Sequence, residues 1–313
     1  MIISVTMNPA VDKTLELTEL KVGYLNRINE QKLTAGGKGI NVANDLISLG
    51  SETAVVGFVA ENNIDIIQEC IDDLENRGAK TDFVKVQGRN RTNVKIIEES
   101  GRLTEINEQG FEVMPDNCNE LIEKLLSYAT PDNSFVLMGS VPKGVSKAIY
   151  RQLTDVLKKK GAKVYVDADG ELLKYAVEAH PNAIKPNERE LLEYFGDKSV
   201  SEKTLINRAK ELVNTGIGTV IVSRGARGSL FVTGEGVAKC GIIPVEVKST
   251  VGAGDAMLAA YVHYSSQGFS KDDVIKYSVA ASTYAVTKDT PFFRDADEIE
   301  KLAQLVEINW LLY

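Results

Sequence analysis

Short, continuous apolar runs separated by helical patterns constrain this chain more than any other feature. "FVLMG" at 135–139 and "TVIVS" at 219–223 do not alternate polar with apolar residues. A strand exposed on one face reads with period two, whereas a continuous apolar strand needs cover on both faces. Such runs predict strands at Ile2–Asn8, Thr53–Val59, Phe135–Ser140, Lys163–Asp169, Ala183–Lys185 and Thr219–Ser223. Helical patterns lie near 39–49, 62–77, 116–129, 146–160, 202–215, 253–267 and 271–287. Strand–helix–strand repetition predicts an α/β fold with a mostly parallel, doubly wound sheet. A chain of 313 residues is long enough to build one. After Ser223 the glycine-punctuated stretch "RGARGSLFVTGEGVAKCGIIPVEV" predicts antiparallel strands.

Two stretches break this rhythm. Residues 12–34 and 91–108 alternate with period two, the second about an "ESG" turn. They predict a small β-sheet flap, a lid made from two separated segments, with polar outward faces. A sheet of that size is marginal alone, so it must pack on the main sheet, on a second copy of itself, or on both.

Composition narrows the function. The formal charge of −8 disfavours nucleic acid and anionic membrane surfaces. No apolar run approaches the ~18 residues of a membrane span, and the N-terminus has no signal-peptide pattern. Three scattered cysteines, Cys70, Cys118 and Cys240, form neither a disulfide framework nor a zinc motif. A cytoplasmic location is the expectation. With only His180 and His263, a His-based triad or a multi-His metal site is disfavoured.

Polar and glycine-rich stations stand at the ends of the predicted strands. In "STVGAGDAML" at 249–258, Gly252 and Gly254 allow close backbone approach at the entry to a helix with a small-residue face. Unpaired amides and the helix dipole make that entry an anion site. Asp255 in the same turn either balances the dipole or takes a proton from a hydroxyl attacking the anion. "TAGGKGINVANDL" at 34–46 offers the amides of Gly36 and Gly37, the charge of Lys38, and the donor and acceptor of Asn41. That suits a polyhydroxylated ligand; the plainer reading is a turn with a solvated lysine. "TMNPAVD" delivers Asp12 to the carboxyl edge of the sheet, as a hydroxyl acceptor or an Asx turn. In "KPNERELLEYF" at 185–195, Asn187 and Glu190 form a capping box or hold a hydrated Mg²⁺. "SRGARG" at 223–228 suits either a turn against phosphate oxygens or a tight β-turn. There is no GxxxxGK[ST], and "GAGDAM" lacks the third glycine of a dinucleotide fingerprint.

Taken in order, "TMNPAVD", "AGGKGINVA", "KPNERE", "SRGARG" and "STVGAGDA" resemble the ribokinase-like, or PfkB, family of carbohydrate kinases across essentially the whole chain. "RTNVKI" followed by "GRLTEINEQG" is similar to the flap hairpin of its hexose-phosphate branch. The resemblance implies a three-layer α/β/α kinase domain over 1–313 with a flap near 12–34 and 91–108. It implies phosphoryl transfer from ATP, with Mg²⁺, to a ketohexose phosphate, with fructose 1-phosphate and tagatose 6-phosphate both open, and a homodimer through the flap. Asp255 is then the general base, and the amides of Gly252, Ala253 and Gly254 form the anion hole. Asp12, Gly37, Lys38, Asn41, Arg91, Asn93 and Ser140 face the sugar, Lys38 and Arg91 meeting the phosphate it already carries. Lys185, Asn187, Ser223, Gly225, Gly228 and Gly254 line the nucleotide, with Glu190 near Mg²⁺. The chain departs from the family pattern at Ala256, at Asp169 in "VDADG", and at "KDTPFF" near the adenine. A non-catalytic sugar-phosphate sensor and a nucleotide-binding oxidoreductase are the competing classes.

Overall fold

The computed structural model describes residues 1–62, 64–198 and 201–312. Its strands in chain order are β1 (Ile2–Thr6), β2 (Ala10–Leu17), β3 (Glu30–Gly36), β4 (Thr53–Asn62), β5 (Lys80–Arg89), β6 (Arg91–Glu98), β7 (Leu103–Asn107), β8 (Ser134–Met138), β9 (Lys163–Asp167), β10 (Ala183–Ile184), β11 (Thr219–Ser223), β12 (Ser229–Thr233), β13 (Gly236–Cys240) and β14 (Ile308–Leu312). Its helices are α1 (Lys38–Ser48), α2 (Asp65–Asn76), α3 (Pro115–Ser127), α4 (Ile149–Lys159), α5 (Gly170–Glu178), α6 (Glu188–Phe195), α7 (Glu202–Asn214), α8 (Ala253–Ser266), α9 (Lys271–Ala285) and α10 (Ile299–Gln304).

Ten strands form the main sheet in the order β14-β13-β12-β11-β10-β9-β8-β1-β4-β5. From β5 to β11 every pairing is parallel, and the three pairings beyond β11 are antiparallel. The continuous apolar runs are buried on both faces, as their composition requires. Within β1, Ile3 and Val5 join a core under α3 to α7, while Ile2 joins a second core under α1, α8 and α9. The layers are therefore helix, sheet and helix. Strand β1 pairs with β4 on one side and β8 on the other, so the chain reverses its direction of travel across the sheet there. Open α/β sheets place their ligands outside the carboxyl ends of strands at such a reversal.

Four strands form the flap, in the order β3-β2-β6-β7. The sequence reading anticipated its two segments. Its outward faces differ from the polar expectation. Val22, Tyr24 and Leu25 of the β2–β3 connection are 86%, 79% and 77% exposed, and Leu33, Ile97, Leu103 and Ile106 of the strands are exposed too. Alternation alone identified a sheet but not which side lacks cover.

Other differences are local. The first strand ends at Thr6 rather than Asn8, and the predicted 62–77 helix starts at Asp65, with position 63 outside the described residues. The sequence reading did not foresee β5, β14, α5 or α10. In β5, at the edge of the sheet, only Val84 and Val86 are buried, so no continuous apolar run marks it.

Candidate active site

Helix α8 is buried almost all round. Ala256, Ala259 and Ala260 are fully buried, which lets α8 lie close against α1 and α9. Its N-cap is Gly252, at φ 86°. An L-residue seldom adopts that angle, and a Cβ here would fall 1.8 Å from the Pro291 carbonyl oxygen. "KDTPFF" thus abuts the anion turn. Ala253 and Gly254, the first two residues of α8, line a cavity of about 600 Å³. The Ala253 amide makes a long bond to the Thr250 carbonyl, at 3.4 Å, and the amides of a helix entry together with its dipole favour an anion there.

Asp255 follows at once and is buried. Asn41 Nδ2 donates to its Oδ2 at 2.9 Å. Burial, with the nearby Asp167, pushes its pKa up to about 6, against the pull of Lys38, Asn41 and Lys185. A carboxylate poised there can exchange a proton near neutrality.

Asp167 ends β9 and takes a lysine on each oxygen. Lys38 Nζ lies 3.1 Å from Oδ1 and Lys185 Nζ 3.0 Å from Oδ2. Burial alone would raise the Asp167 pKa, but the two lysines outweigh it and hold the group below the ordinary carboxylate range. Lys185, expected at the nucleotide, is buried in this pair beneath Gly254, where a Cβ would meet its ammonium at 2.9 Å.

A second, polar cavity of about 280 Å³ opens at the end of β1, lined by Thr6, Asn8, Gly37, Lys38, Arg91, Asn107, Ser140 and Asp169 among others. The buried Tyr150 hydroxyl donates to the carbonyls of Met138 and Gly139, at 2.7 and 3.0 Å, and fixes the turn that presents Ser140. Arg91 Nε donates to the Asn8 carbonyl at 3.1 Å. Burial lowers the Arg91 pKa, and no described carboxylate ion-pairs with it.

One cross-strand rung of the flap brings Thr34, Asp12, Asn93 and Asn107 together. Asn93 Nδ2 donates to Asp12 Oδ1 at 2.9 Å, and Lys95 Nζ to Oδ2 at 2.8 Å. The Asp12 carboxylate lies flat over Gly36, where a Cβ would fall 2.6 Å from Cγ. The amide oxygens of Asn8, Asn41 and Asn93 are buried with no donor among the described residues.

Ser223, Gly225 and Gly228 line the larger cavity. Its remaining wall is mostly apolar, from Ile242, Ile243, Val245, Val247, Met257, Val279 and Val286. Asn187 and Glu190 form a full capping box: Asn187 N and Nδ2 donate to Glu190 Oε2 and Oε1, and Glu190 N donates back to Asn187 Oδ1. Each Glu190 oxygen keeps a lone pair. No cluster of three metal-ligating side chains occurs among the described residues. That donor set fits a hydrated Mg²⁺ held chiefly by phosphate oxygens, with Glu190 reached through water, and no all-protein cage.

Sequence reasoning missed Lys95, Asp167, Asn8 and the apolar wall. Lys95 had a signal, because Arg91, Asn93 and Lys95 share one face at period two. Asp167 closes a continuous apolar strand at the ligand edge, as Thr6 does.

The pfkB family of carbohydrate kinases matches residues 2–291. A 1-phosphofructokinase of Haemophilus influenzae is 32% identical over 311 residues, 99% of this chain and 98% of its own. One from Escherichia coli K12 is 33% identical over 308 residues, 98% of this chain and 97% of its own. The crystal structure of phosphofructokinase-2 from Escherichia coli in complex with substrates and products superposes with a TM-score of 0.89 at 26% identity, covering 97% of this chain and 98% of that one.

The Asp255 carboxyl is expected to titrate with a midpoint near 6, followed by ¹³C NMR of labelled aspartate. The unfolded chain ionises this group first, near 3.8, so stability falls as pH rises from there to about 6. Asn41→Ala removes a bond that favours the charged form and moves the midpoint up. A midpoint near that of a solvated aspartate means the carboxylate is not buried as described.

Proposed function

The chain belongs to the pfkB family of carbohydrate kinases, and on that basis we propose that it transfers the terminal phosphoryl group of Mg·ATP to a ketohexose phosphate, foremost D-fructose 1-phosphate, giving fructose 1,6-bisphosphate and ADP. We read residues 1–313 as one cytoplasmic kinase domain bearing its flap; three free cysteines suit a reducing compartment. The relatives named 1-phosphofructokinase support the choice of substrate.

The observation that carries this reading is the buried Asp255 carboxylate one residue inside a helix entry that lines the large cavity, hydrogen-bonded to the helix that borders the small one. The sugar hydroxyl gives its proton to Asp255 as its oxygen bonds to phosphorus and the bond to ADP breaks. Charge on the equatorial phosphoryl oxygens is met by the amides of Gly252, Ala253 and Gly254. Mg²⁺ bound with the nucleotide supplies further charge neutralisation there, with Glu190 reached through water.

Asp12, Gly37, Asn41 and Asn93 hold sugar hydroxyls. The unsatisfied amide oxygens of Asn41 and Asn93 favour a ligand rich in donors. Lys38, Arg91 and Ser140 receive the phosphate already on the sugar; a partly buried guanidinium without a carboxylate partner suits that anion. Ser223, Gly225 and Gly228 lie along the nucleotide phosphates, while the apolar wall takes the base. Lys185 and Asn187 act from beneath, through Asp167 and the α6 cap. The uncovered apolar flap is read as the seat of a second copy of the chain.

Asp255→Asn is expected to keep sugar-phosphate binding and lose about 100-fold or more in kcat, measured by ADP release on fructose 1-phosphate. Near-normal turnover rules out a base at this position. The same assay with tagatose 6-phosphate and unphosphorylated ketohexoses ranks the acceptors; no ADP release from any would favour a sensor.

Arg91→Ala should raise KM for the sugar phosphate by about tenfold or more while KM for ATP stays near normal. Equal changes in both place Arg91 away from the sugar.

In sedimentation equilibrium the protein is expected as a dimer, and Leu25→Asp as a weaker one or a monomer. A wild-type monomer at all concentrations removes the proposed flap interface.

A further inference from the structure

Helix α1 carries a polar stripe on a buried face. Lys38, Asn41, Asp45 and Ser48 recur at helical spacing. The first two belong to the site described above, and the reading of that site does not use the other two. Asp45 is completely buried. Its Oδ1 accepts from the Phe293 backbone N–H at 2.9 Å, and its Oδ2 has no hydrogen-bond partner among the described residues. Ser48 Oγ donates to the carbonyl of the same Phe293 at 3.0 Å, and is itself held by Arg77 Nη2 at 2.8 Å. One peptide segment is thus gripped at both its donor and its acceptor by one helix.

The gripped segment is the one that abuts the anion turn. The Pro291 carbonyl, two residues before Phe293, closes on the Cα of Gly252 so tightly that no Cβ fits. The Phe293 ring is fully buried in the cluster that contains Ala256 and Ala260 of α8. A shift of residues 291–293 therefore moves the support of Gly252, Ala253 and Gly254.

We propose that Asp45 is a positioning residue: by holding the Phe293 amide to α1, it fixes the 291–293 segment against Gly252 and keeps the anion-binding amides in register with Asn41 and Lys38 on the same helix. The kinetic part of this inference rests on the phosphotransfer reading above; the structural part does not. Burial of a half-satisfied carboxyl is unfavourable, and burial pushes its pKa well up. A side chain at this place that only filled space would be apolar. The acceptor oxygen is the part the segment needs, whatever the charge.

The test compares Asp45→Ala with Asp45→Asn, which keeps an acceptor for Phe293. Amide hydrogen exchange is the first readout and needs no substrate. In Asp45→Ala, exchange should quicken about tenfold or more at Phe293 and also at Ala256, whose amide donates to the Gly252 carbonyl at 2.9 Å, while strands β8 and β9 stay as protected as in the wild type; Asp45→Asn should restore both. The second readout is steady-state kinetics on whichever ketohexose phosphate the wild type turns over. Asp45→Ala should lose about tenfold or more in kcat, with both KM values within about threefold, and Asp45→Asn should return kcat to within about threefold. Unchanged protection at Ala256 in Asp45→Ala overturns the proposal, as does an Asn variant no better than the Ala variant. If Asp45→Ala does not fold, Ser48→Ala, which frees the other end of the same peptide, is judged by the same two readouts. A wild type that turns over no sugar phosphate defeats the phosphotransfer reading alone, because hydrogen exchange still decides the clamp.

Discussion

Four buried or half-buried charges set the terms for the rest of this molecule: Asp167, Asp255, Lys38 and Lys185. A lone buried carboxylate is penalised by several kcal/mol after relaxation, about as much as a domain's whole margin of stability. Asp167 avoids this by dividing itself between two lysines. Asp255 beside them feels the pull of Lys38 and Lys185 and the push of Asp167, and among the described residues no cation ion-pairs with it and the Asn41 amide is its side-chain donor. The two acids face opposite ways in energy. Asp167 is held below the ordinary range and Asp255 above it. Environments that push neighbouring acids apart separate a fixed charge from an exchangeable proton.

That division depends on backbone more than on side chains. Gly252 is required by the Pro291 carbonyl and by its own positive φ, and Gly36 by the Asp12 carboxylate laid across it. Each glycine marks a place where the chain has surrendered a Cβ so that a charged or polar group can come close. The anion site itself is a set of amides, whose positions are only as good as the loop behind them.

This explains which parts were legible in the sequence. The continuous runs at 135–139 and 219–223 identified the doubly wound sheet because burial on both faces leaves no other composition available. "STVGAGDAML" and "TAGGKGINVANDL" were legible because glycine and a nearby charge are local facts. Asp167 and Lys185 were not read as a pair, because their contact joins the end of β9 to the residue after β10 and depends on neighbouring strands. Glu190 could be read either way, and the structure gives the capping box in full while leaving lone pairs over. The apolar wall from Ile242 to Val247 has no regular secondary structure and so no period to detect. Asp45 lay in plain view four residues after Asn41, yet a polar residue on a helix reads as solvated until the sheet and α8 cover it.

The flap joins these threads at the opposite edge of the site. The same four strands that align Thr34, Asp12, Asn93 and Asn107 in one rung leave Leu33 and Ile106 in water on the opposite face, and Ile97 and Leu103 in water farther along the same face. A four-stranded sheet is barely self-sufficient, and its base is anchored by few residues: Val11 and Ala35 pack on Ile67 and Ile71 of α2. Whatever covers the exposed apolar residues stiffens the rung they flank. The order of the rung and the cover of the flap are therefore one equilibrium, and, on the function proposed above, a substitution at the exposed residues far from Asp255 is felt first as weaker grip on the sugar rather than as slower chemistry.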